Sequence, residues 1–179
     1  QNSKVWNGND LSFPVFNIDN YETTSERSNQ LNFLFVDDKT IKDELKLIIK
    51  EDKTIVLILR NYDEHSVMAH RKFIIDMFDM GIKAPVILHR SYKNISNLDF
   101  QIKSSIDIGS LFIDGLGDGV WVEFCPEYGI ANQTVFGILQ ASRMRISKTE
   151  YISCPSCGRT LFDLQETTSK IREVTNHLK

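Results

Sequence analysis

Long apolar runs are missing from the 179-residue sequence: none approaches the roughly 20 consecutive apolar residues that span a bilayer, so no membrane partner is expected. Cysteine is scarce, and three cysteines cannot build a disulfide scaffold. There is no excess of positive charge. Lys+Arg 21 against Asp+Glu 24 gives a formal net charge of -3, which argues against a nucleic-acid partner, because phosphate backbones select clustered basic charge. A local basic site for a small phosphorylated ligand stays compatible with that balance. No signal or transit segment opens the chain, which starts at Gln1 rather than Met, and we expect the natural N-terminus to lie upstream. The histidines form no H-E-x-x-H pattern, no glycine-rich turn ends in Lys-Ser/Thr, and no solenoid period is visible. What is present is globular: 41% hydrophobic and 25% charged residues.

Residues 1–30 are polar and read as an irregular lead-in. Phe13-Pro14-Val15-Phe16 forms an apolar island that suits an edge strand or a packing anchor, since Pro14 bars a central strand. A regular alternation follows. Short apolar runs at 32–36, 54–59 and 84–88 read as strands buried on both faces, and 109–113 as a fourth. Between them, Ile41, Leu45, Ile48 and Ile49 share one helical face, and Asp37 or Asp38 can cap that helix. Ser66 can cap a second helix that Gly81 ends. Strands alternating with helices predict an α/β fold with right-handed parallel crossovers. Further on, 120–124 reads as a strand, 132–144 as a helix, 149–153 as a short strand and 161–177 as a helix, with a unit boundary near 146–150.

The sharpest chemical signal is Cys154-Pro-Ser-Cys157. Two thiolates at this spacing point at one metal or cluster, but they are half a site, because structural zinc and iron–sulfur clusters normally take four ligands. Zinc, an iron–sulfur cluster, a redox dithiol and two ordinary cysteines all fit the spacing alone. Arg143, Arg145 and Lys148 form a basic group just before it, suited either to phosphate oxygens or to the negative end of a helix. In the turn Asp114-Gly-Leu-Gly-Asp118 the two acids can coordinate a metal or position a substrate, although glycine-rich acidic turns after strands are common for structural reasons. His65, His70 and His89 read as surface or core histidines, and Met68, Met77 and Met80 as packing residues. The N-x-S/T triplets at Asn94 and Asn132 read as chance matches.

Three segments carry a resemblance: Gly109-Ser-Leu-Phe-Ile-Asp-Gly-Leu-Gly-Asp118, Leu139-Gln-Ala-Ser-Arg-Met-Arg145, and Tyr151-Ile-Ser-Cys-Pro-Ser-Cys-Gly-Arg-Thr-Leu-Phe-Asp-Leu-Gln165. Together they closely resemble the 4-hydroxy-3-methylbut-2-enyl diphosphate synthases of the non-mevalonate isoprenoid pathway, in their plastid-type three-domain form. The resemblance implies an oxidoreductase that converts 2-C-methyl-D-erythritol 2,4-cyclodiphosphate to 4-hydroxy-3-methylbut-2-enyl diphosphate, with a [4Fe–4S] cluster and a ferredoxin-type electron donor. It implies that Cys154 and Cys157 are cluster ligands, with a third Cys and a Glu expected beyond Lys179, and that Arg143 and Arg145 contact the substrate diphosphate. No ligand role is carried onto Ile146, which departs from the polar residue often seen there. The resemblance further implies an α/β insertion domain at 1–104, the last βα elements of a TIM barrel at 105–147, and the start of an α+β iron–sulfur domain at 148–179. A homodimer and a plastid-type organelle (chloroplast or apicoplast) accompany it. The 179 residues alone are expected to be inactive. The competing reading is a noncatalytic α/β interaction module with a zinc-binding CxxC hook, which a second CxxC beyond Lys179 would favour.

Overall fold

The structure is a computed structural model and describes residues 6–8, 11–40, 42–60, 66–125, 128–151, 162–175 and 177. Short strands β1 (Trp6–Gly8) and β2 (Leu11–Phe13) pair antiparallel. The main sheet follows: β3 (Val15–Asn17), which runs into the short helix α1 (Ile18–Tyr21), then β4 (Asn32–Val36), β5 (Ile55–Arg60), β6 (Val86–Tyr92) and β7 (Gly119–Phe124). All pairings in it are parallel, and the spatial order is the chain order, β3-β4-β5-β6-β7. Right-handed crossovers in unbroken order keep the connecting helices on one face, as in the wall of a βα barrel; a doubly wound sheet would reverse direction and use both faces. The α/β expectation is met.

The register explains the core. Leu34 pairs with Leu57 and Leu57 with Val86, while Val36, Leu59, Leu88 and Val120 form the next cross-strand row. These rows face the helices α2 (Lys42–Glu51) and α3 (Ser66–Asp79), which contribute Leu45, Ile48, Ile49, Phe73, Ile74 and Met77 to the same buried cluster. The other face carries Val15, Phe33, Ile58 and Ile87 and borders a cavity of about 520 Å³ that reaches Trp121 and, round the edge of β7, Val135. The apolar island supplies β3, an edge strand as expected, and the Pro14 carbonyl still accepts a hydrogen bond from Phe33 N at 3.0 Å.

The predicted strand at 109–113 is helical. Ser96 caps α4 (Asn97–Ser104) by accepting from Asp99 N, and the helix continues through a π-helical turn (Ser105–Gly109) into α5 (Ser110–Ile113). Ile108, Leu111 and Phe112 sit at i, i+3 and i+4, so the apolar block that reads as a strand is one buried face of a helix. The division expected between residues 104 and 105 falls inside this continuous helix, and β6 and β7, on either side of it, are hydrogen-bonded neighbours. Ser66 is the first residue of α3 rather than its cap, and Asp37 closes a turn by accepting from Lys39 N and Thr40 Oγ1. The strand expected at 149–153 does not form at 149–151; residues 152 and 153 lie outside the described residues. The later helices are α6 (Tyr128–Ala141), which starts four residues before its expected position, and α7 (Leu164–Thr175).

Candidate functional site

Cys154 and Cys157 lie outside the described residues, so the site is built from what flanks them. Three helices end in the same hydrogen-bond pattern. Ile82 N donates to Met77 O after α3, Leu116 N to Leu111 O after α5, and Met144 N to Leu139 O after α6. Each pattern needs a left-handed residue just past the helix. Gly81 (φ 67°) and Gly115 (φ 72°) fill the first two places, and Arg143 (φ 62°) fills the third. A non-glycine residue there costs on the order of 1–2 kcal/mol, so its side chain and surroundings have to hold it.

They do. Arg143 Nη1 lies 2.6 Å from Glu150 Oε2. Gln140, one turn earlier, clamps the same returning segment. Its Oε1 accepts from Lys148 N at 2.9 Å and from Ser147 N at 3.2 Å, and its Nε2 donates to Lys148 O at 3.0 Å and Glu150 Oε1 at 3.2 Å. The chain is thereby folded back onto α6 just before the cysteine segment. Beyond that segment, Asp163 caps α7 by accepting from Gln165 N and Glu166 N. Tyr151 Oη and Thr175 Oγ1 lie 2.6 Å apart, and Arg172 stacks over the Tyr151 ring at 5.8 Å. Arg145 stacks over Phe136 at 5.2 Å and has no carboxylate partner among the described residues. Arg143 and Arg145 are both exposed. Sequence reasoning missed Gln140; the only signal was its place inside the second quoted segment.

The glycine-rich acidic turn is structural. Asp118 Oδ2 accepts from Val86 N at 2.8 Å while its own N–H donates to Val86 O at 2.7 Å, which fixes the start of β6. Gly117 has φ 98°, and a Cβ there would meet Leu88 Cγ at 3.0 Å. Asp114 pairs with Arg71 of α3. His70 is buried and uncharged: burial, aided by Arg90, pushes its imidazole down to about 4. Beside it, Asp107 of the π-helical turn accepts from Arg90 Nε (3.1 Å), Arg90 Nη2 (2.8 Å) and Tyr92 Oη (2.8 Å), and burial together with this carboxylate raises the Tyr92 phenol well above its usual value. His89 is also buried, with Nε2 3.4 Å from Glu123 Oε1. Cys125 is exposed, its Sγ 3.9 Å from Tyr128 Oη. Among the described residues, no three His, Cys, Asp or Glu side chains converge as a metal site, and no helix is long and apolar enough to cross a membrane.

No protein-family profile matches the chain. Curated relatives do. The chain is 40% identical over 176 residues to 4-hydroxy-3-methylbut-2-en-1-yl diphosphate synthase (flavodoxin) of Parabacteroides distasonis, a match covering 97% of the chain and 29% of that protein. The Bacteroides thetaiotaomicron protein of the same name is 38% identical over 98% of the chain and 29% of its own length. The chloroplastic synthase (ferredoxin) of Oryza sativa subsp. japonica is 44% identical over 72% of the chain and 18% of its own length. The chain belongs to the 4-hydroxy-3-methylbut-2-enyl diphosphate synthase family. It spans under a third of the length of these synthases. The similarity also runs well beyond the three quoted segments, since the bacterial synthases match nearly the whole chain.

Proposed function

We propose that the chain is part of an iron–sulfur oxidoreductase that converts 2-C-methyl-D-erythritol 2,4-cyclodiphosphate to 4-hydroxy-3-methylbut-2-enyl diphosphate. The supporting observation is 40% identity to a synthase of that product, sustained along a chain that carries Cys154-Pro-Ser-Cys157. In this reading Cys154 and Cys157 supply two thiolates of a [4Fe–4S] cluster, and the remaining ligands come from outside the 179 residues. The flanks suit the role. Gln140 and Arg143 pin the entry to the cysteine segment, and the Tyr151–Thr175 contact ties that entry to α7 beyond it. The cluster, when bound, supplies electrons and a Lewis-acidic iron.

The chain's own contribution is positioning and charge. Arg145 has a guanidinium with no carboxylate to satisfy among the described residues, and we assign it the diphosphate contact. Arg143 is tied to Glu150, so a phosphate reaches it only by displacing that carboxylate. The electron donor we assign is a small redox protein of the flavodoxin or ferredoxin kind, both of which the names of the relatives carry. A plastid-type location draws support from the rice protein alone, because the other two relatives are bacterial.

The test replaces Cys154 and, separately, Cys157 by Ser in the full-length polypeptide, followed by anaerobic reconstitution, iron and sulfide analysis and Mössbauer spectra. Serine is a poor ligand for soft iron, so the expected result is loss of stable cluster, with Cys125→Ser far milder. Full cluster in both variants, or stoichiometric zinc with no cluster in the unmodified protein, would defeat the assignment.

A further inference from the structure

Parallel βα sheets take up small molecules at the carboxyl ends of their strands, where the loops leave side chains open to solvent. On the face away from the helices, all five strands place a polar or aromatic residue toward that end: Asn17, Phe35, Arg60, His89, and Trp121 with Glu123. The six are linked. Arg60 Cζ lies 4.6 Å over the Phe35 ring, and its Nη2 donates to Asn17 Oδ1 at 3.3 Å. Phe35 and Trp121 have ring centroids 6.1 Å apart, and His89 meets Trp121 edge-on at 5.3 Å. The same face nearer the amino ends is apolar, with Val15, Phe33, Ile58 and Ile87.

Two features define what would bind. Arg60 has no carboxylate partner among the described residues, where its partners are one amide oxygen and one ring face. The charge is also limited. Burial holds His89 below the ordinary imidazole value, and Glu123 offsets Arg60. A single guanidinium matches one carboxylate with two parallel hydrogen bonds. A diphosphate would bring several negative charges to one cation with Glu123 on the same face, and that repulsion is unfavourable in a partly desolvated site. Phe35 and Trp121 add flat apolar walls.

We propose that this mouth binds a small organic monocarboxylate with a flat apolar body, its carboxylate on Arg60 and its body against Phe35 and Trp121. The inference stands independently of the cluster assignment, since it involves none of the residues from α6 onward.

The test uses the full-length polypeptide with benzoate as the probe and the indole N–H resonance of Trp121, identified with Trp121→Phe, as the readout. Benzoate should shift that resonance saturably. Arg60→Ala should weaken binding about tenfold or more, as loss of a charge-assisted hydrogen bond does, Arg60→Lys should weaken it less, and pyrophosphate should not compete. If Arg60→Ala melts early, Arg60→Gln replaces it. A shift that is absent, insensitive to Arg60, or displaced by pyrophosphate more tightly than benzoate binds would overturn the proposal.

Discussion

Replacing Gln140 by Ala should release the segment that leads into the cysteines without unfolding the sheet. The Gln140 amide makes two hydrogen bonds to the backbone N–H groups of Ser147 and Lys148 and two more to Lys148 O and Glu150 Oε1. A net hydrogen bond contributes about 0.5–1.5 kcal/mol. The site is half-exposed, so water replaces part of each bond, and the lower end applies. Ala also forms helix slightly better than Gln, by a few tenths of a kcal/mol at most. Together these give a local loss of about 1–2 kcal/mol, with the Arg143–Glu150 pair still holding the segment. Hydrogen exchange reads this directly, because a local opening that is easier by about 1.4 kcal/mol exchanges about tenfold faster. The amides of Ser147 and Lys148 should lose protection by roughly that factor, while β5 and β6 amides stay unchanged. Gln133→Ala, on the exposed side of the same helix, is the control. Equal protection at Ser147 and Lys148 in the two variants would show that the clamp contributes nothing and that the backbone pattern at the end of α6 suffices.

Other outcomes follow from the same geometry. Gly117→Ala should destabilise by about 2–4 kcal/mol, combining positive-φ strain with the Leu88 contact, whereas Gly115→Ala, with open space at its Cβ, should cost about 1–2 kcal/mol; equal midpoints in urea unfolding would reject the close-approach argument. Asp107→Ala removes the carboxylate to which part-buried Arg90 and Tyr92 both donate and should cost about 3 kcal/mol, with Arg90→Met on the same background recovering part of the loss; a denaturation series on the single and double variants decides it. His70 has a depressed folded-state pKa of about 4 against an ordinary value of 6.5, so its contribution is complete above 6.5 and is lost as pH falls from 6.5 toward 4. That loss should approach about 3 kcal/mol and shrink in His70→Gln, as stability measured against pH will show.

The elements legible from sequence were those whose signal is local. The runs at 32–36, 54–59 and 84–88 are apolar on consecutive positions because one face of each strand packs on the helices while the other borders an apolar cavity, and each became a strand at nearly its expected place. Gly81 was legible for the same reason: the left-handed place after a helix favours a residue without a Cβ. Leu111-Phe112-Ile113 failed because three apolar residues fit either period. Only Ile108, one turn earlier across a π-helical turn, shows that the buried positions are helical, while Ile113 is exposed.

The site's illegible parts depend on partners that no window of sequence contains. Arg143 occupies a place that the glycine rule would give to Gly, so composition argues against a helix stop there. What permits it is an ion pair seven residues on and a clamp from Gln140, both closed only when 147–150 turns back. The basic cluster read from sequence therefore divides in the structure: Arg143 pairs with Glu150, and Arg145 has no carboxylate partner among the described residues. The mouth cluster is further from view, since Asn17, Arg60 and Glu123 belong together only through the parallel register of five strands spread over more than a hundred residues. Each of its members, taken alone, is an ordinary polar or aromatic residue near a strand end.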